Sequence, residues 1–277
     1  MVFKSNLDKL LFYNFPVILF SLIPCFLITG PFLSDLSISL ISLLFLGYCI
    51  KEKNFDFFKN KYFYFFLIFW IYLLINTLIH DFSFDKLGTP FVLVRYGIFV
   101  IAISVLLNTD DRFIKYFFYC LLTCFIILIL DGYYQYFVGK NILNYQTVNY
   151  QRVSSFFYDE LILGSYLSRL WPIFFGLSIL IFEQKSKIFL LFILIFILSE
   201  ALIFLSGERS AFFYINLSAV FVILFSQKLL KLRLLTLLSS ILLLIIISNI
   251  NPLAKERIID QSLKSMNLLK TEKEFNS

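Results

Sequence analysis

The chain has 277 residues, of which 60% are hydrophobic, 20% aromatic and only 15% charged. A soluble domain carries about a quarter charged residues, so a water-soluble fold is excluded, and the net charge of +6 reads as a topology signal and not as a nucleic-acid footprint. Strand-length segments of alternating polarity are missing, which argues against an outer-membrane barrel and leaves an all-α, polytopic helical membrane protein.

Lys4 and Lys9 precede the first apolar run. No small-residue cleavage site follows, so that run is read as an uncleaved first span. The sequence predicts about nine transmembrane helices, at 11–29, 33–50, 62–79, 91–107, 113–130, 161–182, 188–205, 211–227 and 234–250. Each run has about 17–22 residues, which at about 1.5 Å per residue suits a hydrocarbon core of about 30 Å. Gly30-Pro31 makes the first turn, while Pro16, Pro24 and Pro172 fall inside spans, where neighbouring helices satisfy the freed carbonyls. Cys25, Cys49, Cys120 and Cys124 all lie in apolar runs. Their spacing fits neither a disulfide framework nor a zinc site, so they read as packing residues and no metal site is expected.

The loops between these runs alternate in basic charge. One set holds Lys4 and Lys9, then Lys51, Lys53, Lys59 and Lys61, then Arg112 and Lys115, Lys185 and Lys187, and Lys228, Lys231 and Arg233. The other holds only Lys86, Lys140, Arg152 and Arg209 before residue 251. The positive-inside rule puts the first set and the N-terminus in the cytoplasm, and nine spans then put 251–277 outside. Residues 1–250 form the predicted transmembrane bundle, with outer loops at 131–160 and 206–210. Tyr133, Tyr134, Tyr136, Tyr145 and Tyr150 in the longer loop suit the interface. Residues 251–277 read as the start of an outer loop, apparently incomplete, with a weak helical stripe at Leu263, Met266, Leu268 and Leu269.

A charge well inside a span costs about 2.5–3.5 kcal/mol on insertion scales. Arg95, Arg169 and Glu200 lie inside predicted spans, and Asp131, Asp159, Glu160 and Glu208 border their outer ends. All fall in the outer half of the membrane or just above it, so Arg95, Arg152, Arg169 and Arg209 could face one outward-opening cavity. The plainer alternatives are structural pairs, Glu200 with Arg169 and Glu208 with Arg209, and snorkelling of Arg95. Arginine suits phosphate because its planar fork donates two parallel hydrogen bonds and keeps its charge. The expected ligand is a lipid-linked phosphate or pyrophosphate at the outer leaflet.

Two segments carry more than composition. The stretch Arg152-Val153-Ser154-Ser155-Phe156-Phe157 leads through Asp159 and Glu160 to Gly164, which opens the next span. The tight turn Ser206-Gly207-Glu208-Arg209-Ser210-Ala211 joins two spans. Together, over about residues 60–250, they resemble the signatures of the O-antigen ligase and O-antigen polymerase superfamily. That resemblance implies a glycan transferase on the periplasmic face of the bacterial inner membrane. Such an enzyme moves a glycan from undecaprenyl pyrophosphate to lipid A–core or to a growing polysaccharide, with no metal, nucleotide or other cofactor. It implies Arg152 and Arg209 as residues that bind the donor pyrophosphate and neutralise the leaving group. Arg95 is added to them from its depth in the span. Family members continue into a large periplasmic loop with a catalytic histidine and further spans. This chain stops at Ser277, and its one histidine, His80, does not match that place. Beside Asp81 at an interface it reads as structural, so the catalytic base is unassigned and the chain is expected to be a fragment or to lack its base. Two other classes remain open. A transporter or flippase for an anionic carrier lipid would place its charges at mid-membrane. A degenerate, non-catalytic membrane protein would lose nothing when Arg152 and Arg209 are replaced.

Overall fold

The computed structural model describes residues 6–80, 84–109, 112–147, 152–182, 186–225 and 230–265. Lys4, Asp81, Tyr150, Lys185, Lys228, Met266, Leu268 and Leu269, singled out above, lie outside the described residues. Every regular element among the described residues is helical. Helix α1 (Asn6–Lys9) runs through a π turn at Leu10–Asn14 into α2 (Phe15–Thr29). There follow α3 (Pro31–Glu52), α4 (Lys61–His80), α5 (Phe84–Val92), α6 (Val94–Leu107) and α7 (Arg112–Val138). The second half holds α8 (Leu163–Phe182), α9 (Ser186–Ser206), α10 (Arg209–Phe225) and α11 (Leu230–Ile250). It closes with α12 (Pro252–Lys255), a π turn at Glu256–Asp260 and α13 (Gln261–Ser265).

Where they are described, the nine predicted runs fall largely on helix, apart from a turn at Leu93 and the non-helical Leu161 and Ile162. Six helical stretches are long and apolar enough to cross a bilayer: Asn6–Thr29, Pro31–Glu52, Lys61–His80, Lys86–Leu107, Arg112–Val138 and Leu163–Phe182. Three more apolar stretches, Leu190–Ser206, Arg209–Val222 and Ser240–Ile250, are shorter within the described residues. Two predicted outer segments contain helix. The first eight residues of the predicted loop 131–160 continue α7 to Val138. Within the predicted outer segment 251–277, the stretch 252–265 is helical. Asn251 caps it, its Oδ1 accepting from the Ala254 N–H at 3.0 Å, and Pro252 occupies the first turn, where a missing N–H costs nothing. Ala254 and Ile258 bury against Phe204 of α9.

The chain packs as two compact units, Met1–Cys120 and Leu121–Ser277. In the first, Ile41, Phe45, Tyr48 and Cys49 of α3 meet Ile101 and Ala102 of α6. In the second, Phe125 of α7 stacks on Phe174 of α8 with ring centroids 5.1 Å apart, and Trp171 packs on Phe196 at 4.9 Å. Several hydroxyls inside the spans bond within their own helices, where water is lacking. Ser21, Ser37 and Ser42 each donate to the carbonyl four residues earlier.

Candidate anion site at the motif junction

The site is built in the second unit, beginning with the last turns of α7. Asp131 and Gln135 stand one turn apart there and both are fully buried. Buried polar groups must be paired, and these two are paired by folding the following loop onto them. Gln135 Oε1 accepts the backbone N–H of Ser154 and of Ser155, at 2.9 and 2.7 Å. Asp131 accepts the Ser155 hydroxyl at 2.5 Å and the Ile142 N–H at 3.0 Å. Asn141, also buried, donates to the Ser155 carbonyl at 3.0 Å. Val153 is fully buried beside them. The loop is therefore a fixed shelf, and Arg152 is its first described residue after 147.

The second motif meets that shelf. Arg152 Nε donates to the Ser206 carbonyl at 2.7 Å. Gly207 turns the chain with φ +70°, a conformation open to glycine at little cost. A Cβ there would sit 3.1 Å from Arg152 Nε and 3.3 Å from Arg257 Cδ, so two arginines meet over a bare backbone. The next residue, Glu208, is buried and turns its carboxylate onto the N-terminus of α8. It accepts the N–H of Gly164 at 2.6 Å, the N–H of Ser165 at 2.9 Å and the Ser165 hydroxyl at 2.7 Å. Unpaired N–H groups and the helix dipole both favour an anion at that position. Gly164 is needed for the approach, because its Cβ would come within 2.8 Å of Ser206 Oγ and 2.9 Å of Glu208 Oε1.

The electrostatics follow from this packing. Burial pushes the Glu208 carboxyl above its ordinary range, against the opposing hydrogen bonds from Ser165 and Gly164 and the charge of Arg152. Burial and the like charge of Arg257 push the Arg152 guanidinium below its ordinary value, with Glu208 opposing. Its acidity starts so weak that it stays charged at physiological pH. Arg152 feels both the Arg257 guanidinium and the Glu208 carboxylate, and that carboxylate is already used by α8. Among the described residues the Arg152 Nε bond to Ser206 leaves both of its Nη groups without a hydrogen bond.

The predicted residues separate. Arg152 sits at the junction. Arg209 is the first residue of α10, next to Glu208, and is exposed with no hydrogen bond or ion pair among the described residues. Arg95 belongs to the other unit, and its fork is taken. Nη2 pairs with Asp35 Oδ2 at 2.9 Å and Nη1 donates to Ser39 Oγ at 3.1 Å, tying α6 to α3. Neither structural pair considered above forms. Glu208 serves α8 instead of Arg209, and Glu200, fully buried in α9, accepts the Ser240 hydroxyl instead of pairing with Arg169. His80 is exposed at the end of α4. Sequence reasoning missed Arg257, although the Asn251-Pro252 pair signals a helix start six residues before it. It also missed Asp131 and Gln135 as the anchors of the shelf, for which the sequence holds no local signal.

Comparison with known proteins gave no match to a family model, a curated protein or a solved structure.

Proposed function

We propose that this chain is a membrane glycan transferase of the O-antigen ligase kind, with nine spans and a cytoplasmic N-terminus in a bacterial inner membrane. It moves a glycan from undecaprenyl pyrophosphate to lipid A–core or to a growing polysaccharide at the periplasmic face. The observation that supports this reading most is the meeting of the two motifs. Arg152 from one is fixed to Ser206 of the other by a 2.7 Å hydrogen bond, with Arg257 beside it. The two Nη groups of Arg152 hold a phosphate oxygen pair, and Arg209 and Arg257 add charge at the rim. As the acceptor hydroxyl attacks the anomeric carbon, the bond from that carbon to the pyrophosphate oxygen breaks. The arginines then neutralise charge growing on the leaving group, which lowers the barrier more than it tightens ground-state binding. Arg95 is left out of this site because its fork is committed to Asp35 and Ser39.

The test is binding of undecaprenyl pyrophosphate to the full chain in detergent, wild type against Arg152→Lys and Arg152→Ala. Lysine keeps the charge but loses the planar fork and the Nε tether. Both variants should bind at least about tenfold more weakly, the loss expected for a charge-assisted bidentate contact. If Arg152→Lys binds as wild type does, the fork plays no part and the proposed donor site is wrong.

A further inference from the structure

Arg169 remains unexplained by the motif site. It is the seventh residue of α8, about 9 Å along the axis from Leu163, inside a stretch long and apolar enough to span a membrane. It is exposed, with no hydrogen bond or ion pair among the described residues, and Glu200 is engaged with Ser240. A guanidinium at this depth must find a partner or reach water.

Its surroundings suit one class of partner. Arg169 opens onto a groove of about 380 Å³ between α8 and α10, lined also by Ser168, Pro172, Tyr214, Leu217, Ser218 and Phe221. That volume is within the range of small-molecule sites, about 300–1,000 Å³. Both helices start at the contact between Glu208 and the α8 N-terminus, so they run from one end side by side. Tyr214 is the sixth residue of α10, about 8 Å from its start, level with Arg169. Leu217, Ser218 and Phe221 follow at helical spacing on the same face of α10. The groove is polar at the level of Arg169, Ser168 and Tyr214 and apolar further along at Leu217 and Phe221. Ser218, which also lines it, has a buried Oγ without a hydrogen-bond partner among the described residues. Pro172 has no N–H for the Ser168 carbonyl and crowds that turn, which opens the helix surface there.

From this we infer that the groove between α8 and α10 is a lipid site, in which Arg169 binds the phosphate head of a membrane lipid and Leu217 and Phe221 hold the start of its chain. The fork reads the phosphate, Tyr214 supplies a hydroxyl, and the apolar end adds affinity only for a phosphate that carries a chain. The site is separate from Arg152 and does not depend on the glycan-transfer reading.

Tetradecyl phosphate, one phosphate on one alkyl chain, is the simplest probe. Its binding to the full chain in a neutral sugar detergent is read by native mass spectrometry. Wild type should retain the probe, Arg169→Ala should bind it at least about tenfold more weakly, and inorganic phosphate should not displace it. Leu217→Trp keeps the charge and fills the apolar end, and it should weaken retention as well. That variant carries the test if Arg169→Ala does not fold. Retention unchanged in both variants overturns the site. Displacement by inorganic phosphate overturns the lipid assignment. Loss in Arg152→Ala but not in Arg169→Ala would place the probe at the motif junction and also overturn the groove.

Discussion

Glu208 is buried in the turn between α9 and α10, and its carboxylate accepts from the first N–H groups of α8. Next to Arg209 it looks like half of an ion pair. Glu208 lies in the turn before α10, and the structure gives its carboxylate to α8 instead, through three hydrogen bonds. Replacing it by glutamine keeps the shape but turns an NH₂ group toward backbone donors. Glu208→Gln should therefore cost about 1–3 kcal/mol, the usual penalty for a buried hydrogen bond left unmade. The same residue makes stability depend on pH. Burial raises its folded value above the ordinary carboxylate pKa of about 4.3. The folded chain thus keeps this proton at a pH where the unfolded chain has lost it. The stability contributed by Glu208 is full below the ordinary value and is lost as pH rises through the raised one. Thermal unfolding in detergent across that window should show a falling midpoint for wild type and a flatter profile for Glu208→Gln. An equal slope in both would mean that another group carries the dependence.

At the scale of elements, Arg95 and the segment after Asn251 exchange the roles the sequence suggested. Arg95 looked like a site residue because a charge in a span needs a reason. The reason is Asp35, one turn into α3, which also accepts from the Tyr96 hydroxyl at 3.1 Å. Both partners are partly exposed, the side chains by 26% and 48%, so the pair is weaker than a buried one. Arg95→Ala should lower stability by about 1 kcal/mol and leave undecaprenyl pyrophosphate binding within about twofold of wild type. A tenfold loss of that binding would return Arg95 to the donor site. The segment 251–277 was read as the start of an outer loop because nine spans put it outside, and its start is helical. What fixes it is tertiary: Ala254 and Ile258 are spaced by one helical turn and bury against Phe204. That docking brings Arg257 to Gly207, a contact that no pattern within residues 252–265 specifies.

For the whole molecule, the sequence was legible wherever one strong signal sufficed. Apolar runs of about 20 residues placed the helices, since a backbone in lipid must bond to itself. The two motif arginines stood out because the loops that hold them carry few other lysines and arginines. What stayed hidden depended on pairing over long separations, as in Asp35 with Arg95, Glu208 with Gly164 and Gln135 with Ser154. Such partners are chosen by packing, and any of several nearby polar residues would have satisfied a one-dimensional reading. The sidedness of the chain still rests on its lysines and arginines, and the donor reading needs Arg152 outside. Single cysteines in an otherwise cysteine-free chain can decide it, so that none of the four native thiols contributes to the signal. A cysteine replacing Asn144, on the exposed part of the loop that carries Arg152, should react with a membrane-impermeant maleimide in intact cells whose outer membrane has been opened. A cysteine replacing Lys59, between α3 and α4 and largely exposed, should react only after lysis. The reverse pattern would put Arg152 on the cytoplasmic side, where lysine-rich loops dominate, and no outer-leaflet donor could reach it.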